Sequence, residues 1–404
     1  MLEPPALAGA DVESAMLRLI GYAAALPASD MFLAPGKYDG TVSVRHMGVV
    51  RTVMSLPRED LIRYVNHFKA VAGMPVDQRL RPLDGRWVCA VNGSRRVELR
   101  LATIPTLWGE AMAMRLLEQD VTLLELGGLG FHAAHLEDLT AMLGRPSGLI
   151  LVTGPAGSGK TTTLYACLSH LNDGTRKINT IEDPIELVLP GVHQSEVQPK
   201  IDLGFPELLR AVLRQAPDVI MLGEIRDPVT AETAALAANS GHLVFATLHA
   251  PTAAAAPASM MALGANPHFL AASLLGVLSQ RLVRRLCPHC RQAFDVSESV
   301  HTFEDIRRWL EPGEGTRIYG AAGCERCHHE GYSGRTGVAE VLRVSRSIRE
   351  MIDSRRTADE IRQAATEQGM LDLRRSALLS VARGITSTEE VIRRISAEHL
   401  MPSD

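Results

Sequence analysis

No stretch of this 404-residue chain approaches the ~20 consecutive apolar residues that a membrane-spanning helix needs. Any membrane association is therefore expected to be peripheral and to run through a partner. The opening residues, MLEPPALAGADVES, place acids and prolines where a secretory signal needs a basic start and an apolar run, so export is not expected. Neither sign of charge is in large excess. With 42 basic and 46 acidic residues the net charge is -4, which gives no general attraction to nucleic acid or anionic lipid. Aromatic residues are scarce at 4% and are not interleaved with basic ones in the manner of a nucleic-acid groove, so no nucleic-acid partner is expected. No repeat of fixed period is present. Cysteine is sparse, but Cys287, Cys290, Cys324 and Cys327 form two Cys-x-x-Cys pairs. Without an export signal, that pattern favours a metal over disulfides.

The length exceeds what one core usually supports, which stops growing at ~250–300 residues, so several domains are expected. Residues 1–125 mix alternating runs such as TVSVRHMGVVR with helical ones such as EDLIRYVNHFKAVAG, the pattern of a small α/β domain. Glycines in residues 126–136 suggest a hinge. Over residues 137–285 the apolar runs GLILVT, KINTIE, DVIML and HLVFATL alternate with helical stretches, as in a parallel α/β sheet. The cysteines fall in residues 286–335, and residues 336–404 read as helical and charged.

Between the first of these strands and a helix lies GPAGSGKTTTLY, matching G-x-x-x-x-G-K-[ST]. Glycines at 154, 157 and 159 let the backbone curl so that its N–H groups face phosphates at a helix N-terminus. The loop Gly154, Pro155, Ala156, Gly157, Ser158, Gly159, Lys160, Thr161 and Thr162 is thus the candidate ATP cradle. Lys160 would reach the β- and γ-phosphates and Thr161 would bind Mg²⁺. Glu224 ends a second strand, Glu182, Asp183 and Glu186 follow a third, and His242 and His249 flank a fourth. Polar clusters at successive strand ends are how open α/β sheets build sites.

The paired cysteines supply four thiolates, enough for a closed tetrahedral Zn²⁺ site that stabilises a fold and does no chemistry.

In order, GPAGSGKTTTLY, TIEDPIE, LRQAPDVIMLGEIRD and GHLVFATLH resemble the Walker A, Asp box, Walker B and His box of the type II secretion and type IV pilus ATPases. VELRLATIPTLWGEAMAMRLL resembles the arginine-bearing segment of that family's N-terminal domain, and the cysteine and C-terminal segments match as well, so the resemblance covers nearly the whole chain. It implies a RecA-like P-loop ATPase domain after a small α/β, PAS-like domain, followed by a zinc-binding module and a helical region. It also implies a homohexamer, cytoplasmic and peripheral at the inner membrane, driven by ATP hydrolysis and acting on an inner-membrane platform protein. Glu224 would be the Walker B acid, and Glu182, Asp183 and Glu186 would place water and metal. His242 and His249 would sense the γ-phosphate, and Arg100 and Arg115 would press onto the phosphates. Within the family the tetracysteine motif marks the secretion and pilus-assembly branch.

Several positions depart from the family pattern. Ala216 and Met47 stand where Asp is usual, Ala-Pro follows His249 in place of Thr-Asn, and ASMMALG lacks a usual arginine. MFLAP and RLRPLDGR match their family counterparts only in part. The chain also begins almost directly with the arginine-bearing domain, so docking is expected either to use a surface other than the additional N-terminal domain of longer relatives or to rely on a partner that supplies it. A pilus retraction ATPase, a nucleic-acid motor and a weakly hydrolysing regulatory ring subunit remain as alternatives.

Overall fold

The computed structural model describes residues 3–400 except 8, 27, 92–94, 118–123 and 299–302. Its contacts divide the chain into two compact units, Met1–Gln119 and Asp120–Asp404.

In the first unit the alternating runs become strands and the 3.6-period runs become helices. The order is α1 (Val12–Ala25), β1 (Ala28–Pro35), β2 (Asp39–His46), β3 (Val49–Pro57), α2 (Arg58–Val71), β4 (Leu83–Val91), β5 (Arg95–Thr106) and β6 (Gly109–Leu117). The six strands form one sheet in the order β3-β2-β1-β6-β5-β4 with antiparallel neighbours. One face carries Met31, Leu33, Val42, Val44, Leu99, Leu101 and Met114, all buried with the apolar sides of α1 and α2. The alternation in β2, apolar inward and polar outward, is the sign of a sheet covered on one side.

The second unit begins with α3 (Ala133–Leu143), β7 (Gly148–Thr153), α4 (Lys160–Leu171), β8 (Ile178–Glu182), β9 (His193–Glu196), α5 (Phe205–Leu213), β10 (Val219–Leu222), α6 (Pro228–Asn239) and β11 (Leu243–Leu248). The four apolar runs expected as strands are β7, β8, β10 and β11, and every residue of all four is buried. Strands without polar alternation need cover on both faces, and two separate apolar clusters supply it. Next come α7 (Ala256–Ala262), α8 (Pro267–Ser273), β12 (Leu274–Leu286), the paired strands β13 (Gln292–Asp295) and β14 (Arg317–Gly320), and β15 (Tyr332–Arg343). The sheet order is β15-β12-β7-β11-β10-β8-β9, with only β15 antiparallel.

The boundaries expected at 285/286 and 335/336 fall inside β12 and β15, which pair with each other in the main sheet. The cysteine segment is therefore an excursion between two neighbouring strands. The tail forms α9 (Arg346–Asp353), α10 (Ala358–Glu367), α11 (Leu373–Ala382), α12 (Thr388–Arg394) and α13 (Ala397–Leu400). Side-chain caps from Ser345, Thr357, Asp372 and Ser387 set the starts of the first four. Among the described residues no helix is long and apolar enough to cross a membrane.

Candidate active site

Parallel pairing carries the expected groups to one edge of the main sheet. Thr153 pairs with Leu248, Ala246 with Leu222, and Leu222 with Ile181. The residues that follow the strands, Gly154 after β7, His249 after β11, Gly223-Glu224 after β10 and Asp183 after β8, therefore leave the sheet on the same side.

The loop between β7 and α4 needs its glycines. Gly154, Gly157 and Gly159 have φ of 141°, 72° and 89°, a region that residues with a Cβ adopt only at a cost. A Cβ on Gly154 would lie 2.5 Å from the Gln280 carbonyl oxygen. That carbonyl belongs to β12, and the Gln280 side chain grips the loop as well: its Nε2 donates to Ser158 O at 2.8 Å, and its Oε1 accepts from Thr163 Oγ1 at 2.8 Å. Pro155, Ala156 and Gly157 lie exposed at the loop tip, while Thr161 and Thr162 are half-buried on the first turn of α4. Lys160 Nζ donates to the Gly154 and Pro155 carbonyls at 2.9 and 3.1 Å. Burial lowers its pKa, Glu224 and Glu186 oppose that, and Arg281 adds to it. The Ser158 hydroxyl, within the loop itself, is buried without a hydrogen-bond partner. The residues fit a nucleotide phosphate.

Glu224 Oε1 lies 2.7 Å from His249 Nε2, and Arg226 Nε donates to Glu224 Oε2 at 2.7 Å. Arg226 also comes within 3.9 Å of Asp183. The Glu224 carboxylate, 16% exposed, is thereby held between the Arg226 guanidinium and the His249 ring. The site thus gathers Lys160, Glu186, Glu224, His249, Asp183 and Arg226.

Two expected members stand apart. His242 precedes β11, and its Nδ1 contacts Ala237 O at 2.9 Å; its carbonyl accepts from Gly148 N at the opposite edge of the sheet. Seven residues of extended strand cover roughly 23 Å, so within one chain His242 and His249 cannot meet on one phosphate. Glu182 is buried, and its carboxylate is consumed by Tyr165 Oη, Thr180 Oγ1 and Gln194 Nε2. These contacts tie it into the packing between α4, β8 and β9.

In the first unit Arg100 and Arg115 are direct cross-strand partners on β5 and β6. Their rung continues to Arg86 on β4, Asp30 on β1 and Arg45 on β2. Asp30 pairs with Arg115 and Arg45, both at 3.2 Å. Like charges directly opposite are unfavourable; Asp30 offsets this for Arg115 and Arg45, and Glu98 lies 3.9 Å from Arg86.

The four cysteine Sγ atoms lie within 4.8 Å of one another. Three of the separations are 3.9, 3.7 and 3.8 Å, against about 3.8 Å for thiolates around a tetrahedral ion with ~2.3 Å bonds. Burial pushes the Cys327 thiol up, but the N–H groups of Cys324 and Gly331 together with the neighbouring thiols of Cys290 and Cys324 outweigh it and bring it down to about 7. The donor set fits zinc.

Sequence reading had passed over Gln280, Arg281, Tyr165 and Arg226. Arg281 is buried and donates to the Gln280 and Pro251 carbonyls, both at 3.0 Å. A Gln-Arg pair interrupting the apolar run LLGVLSQRLV was the available signal.

A glycine-built loop at the end of a central parallel strand, with carboxylates from neighbouring strand ends, defines a P-loop nucleotide-binding protein with a RecA-like sheet. A family model described as "Type II/IV secretion system protein" matches residues 8–393. The chain belongs to that family. It is 40% identical over 377 residues to the type II secretion system ATPase E of Vibrio cholerae, covering 93% of this chain and 73% of the relative. It is 39% identical over 366 residues to the type IV pilus assembly ATPase TfpB of Acinetobacter baylyi, covering 91% of this chain and 62% of that relative's length. Among solved structures, the pilus retraction motor PilT with bound ADP aligns with a TM-score of 0.62 at 26% identity, over 94% of this chain and 96% of that one. The DotB ATPase of Yersinia pseudotuberculosis aligns with a TM-score of 0.72 at 20% identity over 97% and 95%, which speaks to the fold alone.

Proposed function

We propose that this chain is an ATP-hydrolysing subunit of a hexameric motor that powers assembly of a type II secretion pseudopilus or a type IV pilus. It works at the cytoplasmic face of the inner membrane through a platform protein. The observation that carries this reading is the meeting of the Gly154–Thr162 loop with Glu224, His249 and Glu186 at one sheet edge.

The loop N–H groups and Lys160 bind and orient the phosphates. Thr161 would hold Mg²⁺, which when bound neutralises charge on the β–γ bridge. Glu186 orients the attacking water, with Asp183 beside it. Glu224 and His249 hold each other at 2.7 Å, and a hydrogen-bonded His beside the γ-phosphate would register its loss. Arg100 and Arg115, cross-strand neighbours on one rung of their sheet, would supply the guanidinium charge that meets a phosphate. The four-thiolate cluster would hold a structural zinc, and it favours the assembly branch over retraction.

The test is steady-state hydrolysis of Mg-ATP together with light scattering. Wild type should turn over ATP as a six-membered ring. Glu224→Gln should retain nucleotide binding and lose turnover by at least ~100-fold, the usual scale for a group aimed at transition-state charge. Background turnover in wild type would favour the weakly hydrolysing regulatory subunit, and stimulation by DNA would favour a nucleic-acid motor.

A further inference from the structure

Tyr165 follows Thr161 by one turn of α4, which puts both side chains on one helix face. The residue is 3% exposed, and its hydroxyl is engaged three ways. It donates to Glu182 Oε2 and accepts from the backbone N–H groups of Glu186 at 3.2 Å and Leu187 at 3.3 Å. A phenol has one proton and two lone pairs, so nothing in this group is left unused.

Glu182 in turn accepts from Thr180 Oγ1 at 2.6 Å and from Gln194 Nε2 at 3.0 Å. Gln194 also donates to Leu187 O at 2.9 Å and accepts from Leu189 N at 2.7 Å. The knot joins the helix that starts at the phosphate loop, the end of β8, the segment from 185 to 189, and β9. Every one of these hydrogen-bond partners of the Glu182 carboxylate is neutral. Burying a carboxylate among neutral donors costs desolvation that hydrogen bonds must offset; what the arrangement returns is a fixed place for the backbone it holds. That backbone is Glu186 itself.

We propose that Tyr165 and Glu182 form a positioning pair for Glu186, carrying the register of α4, and hence of Thr161, to the carboxylate that orients water. The proposal rests on the reading of Glu186 as the water-placing residue. Tyr165 touches no substrate and acts through the Glu186 and Leu187 amides.

Tyr165→Phe in the full-length chain removes one oxygen and keeps the ring. The expected result is a kcat about tenfold lower with KM for Mg-ATP within about twofold, the scale of one lost hydrogen bond acting on geometry. In a Glu186→Gln background the same substitution should change kcat by less than about twofold, because the group it positions no longer functions. An equal loss in both backgrounds would show a general structural role and overturn the proposal. Amide exchange gives an arm independent of turnover: Tyr165→Phe should speed exchange at Glu186 and Leu187 about tenfold while leaving the affinity for ADP unchanged. Unchanged exchange at those two amides would also overturn the proposal. Should the Phe variant fold poorly, Glu182→Gln breaks the same knot, because an amide N–H₂ then faces a donor, and it carries the same expectations. A wild type with no ATP turnover would defeat the hydrolysis reading, and the exchange arm would still decide the positioning.

Discussion

His249 Nε2 and Glu224 Oε1 lie 2.7 Å apart, bridging the ends of β11 and β10. Arg226 holds the other Glu224 oxygen, so His249 is the contact that keeps the carboxylate from turning wholly to the arginine. His249→Ala should lower kcat by roughly 10–100-fold, in the range of a lost positioned hydrogen bond, with nucleotide affinity changed by less than about threefold. Parallel turnover and equilibrium binding measurements check this. A variant whose affinity falls as far as its kcat would place the histidine in ground-state binding instead.

Gly154 and Gly157 separate two kinds of glycine requirement. A Cβ on Gly154 would meet the Gln280 carbonyl at 2.5 Å and Ser158 Oγ at 2.7 Å, whereas one on Gly157 meets nothing within 4 Å. The obstacle at Gly154 includes backbone of a central strand, which cannot swing away. Gly154→Ala should therefore abolish nucleotide binding and lower stability by about 2–4 kcal/mol. Gly157→Ala, with only its positive φ to penalise it, should cost about 1–2 kcal/mol. Thermal unfolding with and without ADP distinguishes the two.

The phosphate loop was legible because its instructions are local: glycines where φ is positive, a strand before and a helix after. The buried strands were legible because an uninterrupted apolar run of four to six residues has few other fates. The grip of Gln280 on Ser158 was not, since 122 positions separate them and only the pairing of β12 with β7 brings them together. The return of β15 to β12 hid for the same reason, which is why the domain boundaries drawn from composition cut through two strands. His242 could have been separated from His249 on sequence alone, because seven residues of strand put the two roughly 23 Å apart within one chain. Glu182 could not, since a buried carboxylate and an active-site carboxylate look alike at a strand end until the neighbours are known.

Ala216 illustrates a cost that composition alone does not reveal. It is exposed and adopts a φ of 50°, and Met47, the other place where Asp was expected, has a φ of 48°. Asp and Asn tolerate this left-handed region better than Ala or Met, and Gly does so freely. Both departures thus sit where a short polar residue relieves strain. Ala216→Gly should raise stability by about 0.5–1 kcal/mol and leave turnover unchanged, because the residue lies in a surface turn. Denaturant midpoints compared at one pH measure it. A loss of stability would mean that the extra freedom of glycine in the unfolded chain outweighs the relieved strain.

His135 supplies a pH dependence of defined sign. It is buried in α3, its Nε2 lies 3.0 Å from Leu371 O and its Nδ1 has no hydrogen-bond partner. Burial lowers its pKa, the Leu371 carbonyl opposes that and His132 adds to it, for a result of about 4 against an ordinary value of 6.5. A proton would give Nδ1 a buried donor with nothing to receive it. Because the folded pKa lies below the unfolded one, the unfolded chain binds the proton first as pH falls. The stabilisation is full above about pH 6.5, declines as pH falls towards 4, and is absent below. Between pH 7.5 and pH 5 the loss amounts to about 2 kcal/mol, from 1.36 kcal/mol per unit across the portion of the window traversed. His135→Gln retains a donor for Leu371 O but has no ring to protonate. The stability difference between wild type and this variant should therefore shrink by about that amount from pH 7.5 to pH 5. A difference that stays constant across those two pH values would mean that His135 keeps the same protonation state in the folded and unfolded chain.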